Sequence, residues 1–226
     1  KQLQRRPGRL TFGGGGRGLA YADFVAVVKK YGGFEHVGAV WGGNKQTAQS
    51  PHNPEWMAAT AVDFIASSAA AAKPFFLYFT HYAVHTPIEA KEELIKKYQR
   101  KKATDRHNNP AYAAMIESTD DSVGMVLAKL EELDLSENTI VLFFSDNGGH
   151  GPVTSNSPLR GSKGMLYEGG IREPMIVKWP GVTKPGSICR ENVIGIDFYP
   201  TLLEATGTPA PKNYTLDGIS LMPLLK

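Results

Sequence analysis

The chain has 226 residues, 42% of them hydrophobic, with 25 Lys and Arg against 22 Asp and Glu for a formal net charge of +3. That length holds one large α/β domain or two small ones and is enough to bury a core, while so small a charge gives no argument for a nucleic-acid partner. A lone Cys189 excludes an internal disulfide, and no stretch reaches the roughly 18 apolar residues of a membrane span.

The N-terminal KQLQRRPGRL is basic with no apolar core of a secretory signal behind it, and GRLTFGGGGRG lacks the Gly-Lys-Ser/Thr ending of a phosphate loop. Residues 1–50 therefore read as a loop-rich lead-in belonging to the same domain that occupies 51–226. In HNPEW, Asn53 as N-cap and Pro54 as first helical residue predict a helix with Met57, Ala61, Phe64 and Ile65 on one face, closing in the alanine run before Lys73-Pro74. Phe75 to Phe79 then form a continuous apolar run, expected as a strand, that ends in His81 and His85.

Thr86 and Glu89 have capping-box spacing for a helix through about Tyr98. The basic cluster Lys96, Lys97, Arg100, Lys101, Lys102 and Arg106 reads as a solvated helix face, with a rim that attracts polyanions as the alternative. Asn109-Pro110 opens a further helix carrying Met115, Val123, Val126, Leu127, Leu130 and Leu133, and LDLSEN turns the chain into a second apolar strand, Thr139 to Phe144. Next comes SDNGG and a long Gly/Ser/Asn-rich loop, GPVTSNSPLRGSKGMLYEGG; a loop of this length in a compact domain is more often functional than not. A short strand over Pro174 to Trp179, a helix over Phe198 to Ala205 led by Asp197, and DGISLMPLLK complete the chain. Strands alternating with helices predict an α/β fold, a mostly parallel sheet with helices on both faces.

Ligands of such sheets bind beyond the carboxyl ends of the strands, so the residues closing the two apolar runs are expected to meet in one crevice. Asp146 and Asn147 offer a carboxylate and an amide oxygen, donors suited to Ca²⁺ or Mg²⁺ rather than zinc; the alternative is an Asp-Asn-Gly turn bonded to its own backbone. His85, between a strand end and a proline, is either a structural hydrogen-bonder or a proton donor, and His81 has the weaker case. His150 faces substrate or solvent. Lys163 lies among small residues with no neighbour in sequence to pair it, so its ammonium is either solvated or free to reach an anion.

Taken together and in order, FLYFTHYAVHTP, SDNGG and GSKGMLYEGGIREP resemble the formylglycine-dependent sulfatases of arylsulfatase type, in the alkaline phosphatase-like superfamily, and DFYPTLLEATG and LDGISLMPLL read the same way. The resemblance spans about Pro51 to Lys226. It implies an alkaline phosphatase-like fold and hydrolysis of sulfuric esters, with Asp146 and Asn147 as ligands of one divalent cation, usually Ca²⁺. It further implies that Lys163 holds a sulfate oxygen, that His85 contacts the sulfate or the leaving-group oxygen, and that Glu168 and Arg172 brace the loop. A sulfated small molecule or glycan would be the substrate, and family habit favours a periplasmic, lysosomal or extracellular location.

The family's nucleophile, a formylglycine made from Cys/Ser-x-Pro-x-Arg, has no motif here: Cys189 is followed by Arg-Glu-Asn, and NSPLR carries Asn156 where the Cys or Ser belongs. The aspartate pair of the family's first strand and its Gly-Lys-x-x-His segment are also missing. The text thus reads as an incomplete portion of a sulfatase domain, expected to be inactive in isolation. Two alternatives stand beside this: a phosphoester or phosphonate hydrolase of the same superfamily, and a non-catalytic protein that binds sulfated glycans.

Overall fold

The computed structural model describes residues 54–213 and 215–226. The lead-in over 1–50 and the Asn53 cap lie outside the described residues. The chain forms two compact units, one closing at Leu133 and the other running Asp134–Lys226.

In the first unit three helices supply the structure: α1 (Pro54–Ala70), α2 (Glu92–Gln99) and α3 (Pro110–Glu132). Pro54 opens α1 as its sequence predicts, since proline has no N–H to lose at that position. Its buried residues, Pro54, Ala58, Ala61 and Ile65, fall at intervals of three or four along one face, and α1 packs on α3 through Ala114 and Met115. Alanines on both sides of a contact let two helix axes come close. Phe64 lies off the buried stripe and meets Phe75 edge-to-face, with centroids 5.9 Å apart. At the start of α3 the Asn109 side-chain oxygen accepts from Tyr112 N at 3.0 Å, the cap its sequence foretells, worth about 1 kcal/mol.

Three expectations are revised in this unit. The Thr86–Glu89 capping box does not form: α2 begins at Glu92 behind Lys91 with no side-chain cap, and the Thr86 hydroxyl lies 3.2 Å from His85 Nδ1 instead. The run Phe75 to Phe79 belongs to no ladder among the described residues; its burial alternates, with Phe76 and Tyr78 exposed. Apolar content encodes that the segment seeks cover, not which strand supplies it. On α3 the buried positions include Ser118 and Ser122, whereas Leu127, expected on the apolar stripe, is exposed.

Ser122 explains itself through a histidine. Its hydroxyl donates to Pro54 O at 3.1 Å, which uses its one hydrogen, so the 2.9 Å contact with His81 Nε2 requires the imidazole to donate. His81 is thereby a structural group, tied to α3 and lying against the Phe79 ring at 4.3 Å. Burial pushes its pKa below the ordinary 6.5. The unfolded chain therefore binds a proton that the folded chain refuses, and stability is full above pH 6.5 and falls as pH drops below that value towards the lower folded one. Urea unfolding between about pH 7.5 and 5.5 checks this: His81→Gln, which retains a donor for Ser122, is expected to flatten the loss, and an unchanged slope would refute it.

The basic cluster is a solvated surface, since all six side chains are exposed. Lys96 pairs with Glu92 at 2.6 Å, Lys97 reaches Glu117 of α3 at 2.5 Å, and Lys101 sits 4.8 Å from the Tyr98 ring centroid. Ion pairs this exposed orient α2 more than they stabilise it.

The second unit is built on an antiparallel ribbon of β1 (Val141–Phe144) and β2 (Met175–Lys178), with Phe144 opposite Met175 and Val141 opposite Lys178. This is the sole ladder among the described residues, so parallel pairing is not represented in them. Between the strands lies α4 (Glu168–Ile171), and after β2 come α5 (Phe198–Ala205) and α6 (Met222–Leu225). Phe144 meets Phe198 edge-to-face at 5.1 Å, fixing α5 on the ribbon.

Asp197 does not cap α5 with its side chain as its place in the sequence suggests. Nearly buried at 6% exposure, it accepts from Ile194 N through Oδ2 and from Ile219 N through Oδ1, both at 2.9 Å. Its own carbonyl accepts from Thr201 Oγ1 at 2.6 Å, and that hydroxyl in turn accepts from Leu221 N at 2.8 Å. One carboxylate and one threonine thus fasten the C-terminal segment to α5.

Candidate functional site

Asp146, Asn147 and Lys163 belong to the second unit and His85 to the first. Asp146 and Asn147 leave the end of β1 and pair with each other: Asn147 Nδ2 donates to Asp146 Oδ1 at 2.9 Å, and Ser145 Oγ donates to the Asn147 carbonyl at 3.1 Å. The Asp146 and Asn147 side chains bond each other at a bend and not their own backbone, so the self-bonded turn that the sequence allows does not form. This suits a cation site, because the Asn147 amide nitrogen is spent on Asp146, which leaves Asn147 Oδ1 and Asp146 Oδ2 as oxygen donors.

Behind them the chain is packed backbone against backbone. Gly148 is buried and its N–H donates to Gly170 O at 3.2 Å; a Cβ there would lie 1.9 Å from Gly169 O. Gly169, whose N–H donates to Arg160 O at 2.7 Å, would place a Cβ 2.3 Å from Gly161 O. No side chain fits at either position, so the GG of SDNGG and the GG of YEGG are two halves of one contact.

Asn156 closes the long loop over this contact. Its Oδ1 accepts from Gly149 N at 2.9 Å, while its Nδ2 donates to Gly149 O at 3.0 Å and Gly161 O at 3.4 Å. Gly149 O also accepts from Lys163 N at 3.1 Å, so the lysine's main chain is held on the residue that lies two positions after Asn147. His150 is half-buried in the same loop, its carbonyl accepting from Val153 and Thr154 N.

Glu168 and Arg172 do pair, at 3.3 Å, but with side chains 63% and 65% exposed. Such a pair adds little; bracing of the loop comes from the glycine backbone and from Arg160, stacked 4.0 Å over the Tyr167 ring. Glu173, opening the return to β2, has its Oε1 buried with no hydrogen-bond partner, and burial raises its pKa above the usual range with the charge of Asp146 adding to the effect.

In the first unit, exposed His85 gives Nδ1 to the Thr86 carbonyl at 2.9 Å, and its N–H donates to Tyr82 O at 2.9 Å. A carbonyl only accepts, so Nδ1 carries the hydrogen; Nε2 then donates only as the imidazolium.

Asp146 and Asn147 are hard oxygen donors at a strand end, and Glu173 Oε1 is a buried acceptor with no donor, so these residues fit a divalent cation. They would supply only part of a coordination sphere: among the described residues no group of three His, Cys, Asp or Glu is placed to hold a metal. Cys189 is exposed and stands apart from any nucleophile motif. Sequence reasoning passed over Asn156, considered only as a failed nucleophile; it acts through Gly149 and Gly161, contacts that no motif announces.

Comparison with known proteins identifies the family. A model of the sulfatase family matches residues 21–208. A sulfatase of Formosa agariphila is 42% identical over 187 residues, covering 77% of this chain and 34% of that protein. The N-acetylgalactosamine-6-sulfatase of Canis lupus familiaris is 35% identical over 170 residues, 73% of this chain and 31% of its own length. The solved structure of Ps i-CgsB in complex with k-i-k-neocarrahexaose superposes with a TM-score of 0.71 at 30% identity, over 90% of this chain and 45% of that one. The chain spans about a third of the length of the curated relatives it matches. No described helix is long and apolar enough to cross a membrane. The alkaline phosphatase-like α/β class read from the sequence is the fold of these relatives, and the chain belongs to the sulfatase family.

Proposed function

We propose that this chain is part of one catalytic domain of a sulfuric ester hydrolase, supplying cation and sulfate ligands to a nucleophile encoded outside its 226 residues. The observation that carries the reading is the loop clamped by Asn156, which ties the Lys163 main chain to Gly149 beside the Asp146-Asn147 pair. A sulfatase needs an ammonium and a cation site close together, and the Lys163 N–H on Gly149 O, two residues after Asn147, supports that reading.

In this reading Asp146 Oδ2 and Asn147 Oδ1 would hold a divalent cation, Ca²⁺ or Mg²⁺ by donor chemistry and Ca²⁺ by family likeness. The chemistry such an ion would supply there is Lewis-acid polarisation of a sulfate oxygen. Lys163 holds a second non-bridging oxygen, where negative charge gathers as the S–O bond breaks. His85, with Nδ1 fixed on the Thr86 carbonyl, gives its Nε2 proton to the departing oxygen. The substrate is a sulfated small molecule or glycan, and export to periplasm, lysosome or exterior follows from the same family likeness. No observation favours a phosphoester or a purely binding role.

Activity assays on 4-nitrophenyl sulfate and 4-nitrophenyl phosphate test this. The chain alone is expected to turn over neither ester. Joined to a preceding segment that carries Cys/Ser-x-Pro-x-Arg and is converted to formylglycine, it is expected to cleave the sulfate. Turnover of the sulfate by the isolated chain, or a preference of the joined protein for the phosphate, overturns the proposal.

A further inference from the structure

We infer that the surface formed by Arg100, Lys101, Lys102 and Arg106, just past the end of α2, binds the sulfate groups of a sulfated polysaccharide. The inference rests on the sulfatase reading above and narrows its substrate class, from any sulfated compound to a polymer that carries many sulfates.

Ion pairing divides the basic residues of this segment into two sets. Lys91 is held by Glu55 at 2.5 Å, Lys96 by Glu92 at 2.6 Å and Lys97 by Glu117 at 2.5 Å. Beyond the helix the acids run out. Residues 98–108 carry four Lys and Arg side chains with Asp105 as the sole carboxylate, and no ion pair holds any of the four among the described residues. Across residues 96–106 six basic side chains stand against that one acid, although the whole chain has a net charge of only +3. The positive charge is therefore concentrated here, and the remainder of the chain is on balance acidic.

The backbone that presents these cations is folded. Lys101 N–H donates to Tyr98 O at 3.1 Å, Thr104 N–H to His107 O at 3.2 Å and His107 N–H to Thr104 Oγ1 at 3.0 Å. All four cationic side chains stand in solvent. Lys97 and Lys101 lie one helical turn apart, a spacing at which like charges disfavour each other. Repulsion that no acid of the chain relieves is relieved by an anion from outside.

The chemistry of the cluster selects among polyanions. A single sulfate ester brings one charge, which exposed cations hold weakly against salt, whereas a sulfated polysaccharide engages several of them at once. Single-stranded nucleic acid has the charge but also stacks its bases on aromatic side chains. Tyr98 is the one Phe, Tyr or Trp in residues 96–108, and its ring already carries the Lys101 and Lys97 ammonium groups, 4.8 and 5.6 Å from the centroid. A single ring so occupied is no platform for successive bases.

Fluorescence anisotropy of labelled dextran sulfate with the full chain tests the idea, with neutral dextran and an oligodeoxythymidine of matched charge as comparison ligands. The parent is expected to bind dextran sulfate and not dextran, and to lose about tenfold or more in affinity between about 50 and 200 mM NaCl. Arg100→Gln, Lys101→Gln, Lys102→Gln and Arg106→Gln made together are expected to weaken binding by about tenfold or more. Lys178→Gln, Lys184→Gln, Arg190→Gln and Lys212→Gln made together remove the same charge from exposed positions spread along the second unit, and are expected to cost less than about threefold. Equal losses in the two variants would mean a response to net charge and overturn the site; oligodeoxythymidine bound as tightly as dextran sulfate would overturn the glycan assignment. In the protein joined to a formylglycine segment, the first variant is expected to cleave 4-nitrophenyl sulfate within about twofold of the parent. A larger loss there would make these cations part of the reacting site and overturn their role as a polymer surface. Failure of the joined parent to cleave the ester overturns the sulfatase reading instead, and leaves the glycan surface to stand on the binding result.

Discussion

Replacing Asp197 with Ala is expected to lower the stability of the second unit by about 2–4 kcal/mol, because each part-buried backbone donor left without its carboxylate costs roughly 1–2 kcal/mol and hydrogen bonds to a charged group are the stronger kind. Two donors are involved, Ile194 N and Ile219 N, reached through separate oxygens at 2.9 Å. The second closes a span of 22 residues, so its loss also frees the segment leading to Leu221 and Met222, both buried. Against a typical total of roughly 5–15 kcal/mol this is a large fraction. Asp197→Asn should cost less, as the amide keeps one acceptor but turns an N–H towards a backbone donor. Urea denaturation gives the magnitude, and amide hydrogen exchange gives the place: protection at Ile194 and Ile219 should fall first. A midpoint shift equivalent to less than about 1 kcal/mol would show that water replaces the carboxylate and that the buried hub is not a structural keystone.

What the sequence reveals divides along the range of the interaction. Pro54 and Asn109-Pro110 were legible because a cap acts within three residues, and α1 and α3 begin where those residues stand. The same short-range logic misfires at Thr86 and Glu89, where the spacing is right but the Thr86 hydroxyl lies beside the adjacent His85 ring. Long-range partners left little trace. The burial of Ser122 on α3 has no signature in the sequence, because its partner His81 stands 41 residues away. Asp197 looked like a helix cap, and Asn156 like a loop residue, since neither the Ile219 nor the Gly149 contact has a periodicity to betray it.

The site shows the same division. Ordered motifs were enough to reach the family, because residues that build one pocket leave their signatures in fixed order even when far apart. They also supplied Asp146, Asn147, Lys163 and His85 as proposals. They did not say why two Gly-Gly pairs recur, which is a packing fact: Gly148 and Gly169 cannot both approach unless neither carries a Cβ.

Lys163→Ala, made in the protein joined to a formylglycine segment, is expected to lower kcat/KM by about 10²–10³, the usual cost of removing one fixed donor from a site that stabilises developing anionic charge. Most of the loss should appear in kcat. The ground-state ester already spreads one negative charge over three oxygens, and the ammonium gains further as the bond to the leaving group lengthens, so its contribution grows towards the transition state. Stability should barely change. The lysine is held in place by its backbone N–H on Gly149 O, at 3.1 Å, and alanine keeps that bond. Lys163→Arg should recover only part of the activity, because a planar fork does not occupy the place of a compact point charge. The decisive contrast is with Asn156→Ala, which leaves the ammonium intact but cuts the three hydrogen bonds that clamp Gly149 and Gly161. If Asn156 acts by holding Lys163, the double variant should be scarcely slower than Lys163→Ala alone, a strong departure from additivity for coupled residues. Independent, additive losses would mean that the clamp serves the fold and not the lysine, and a fall of less than tenfold for Lys163→Ala would remove the sulfate-holding role altogether.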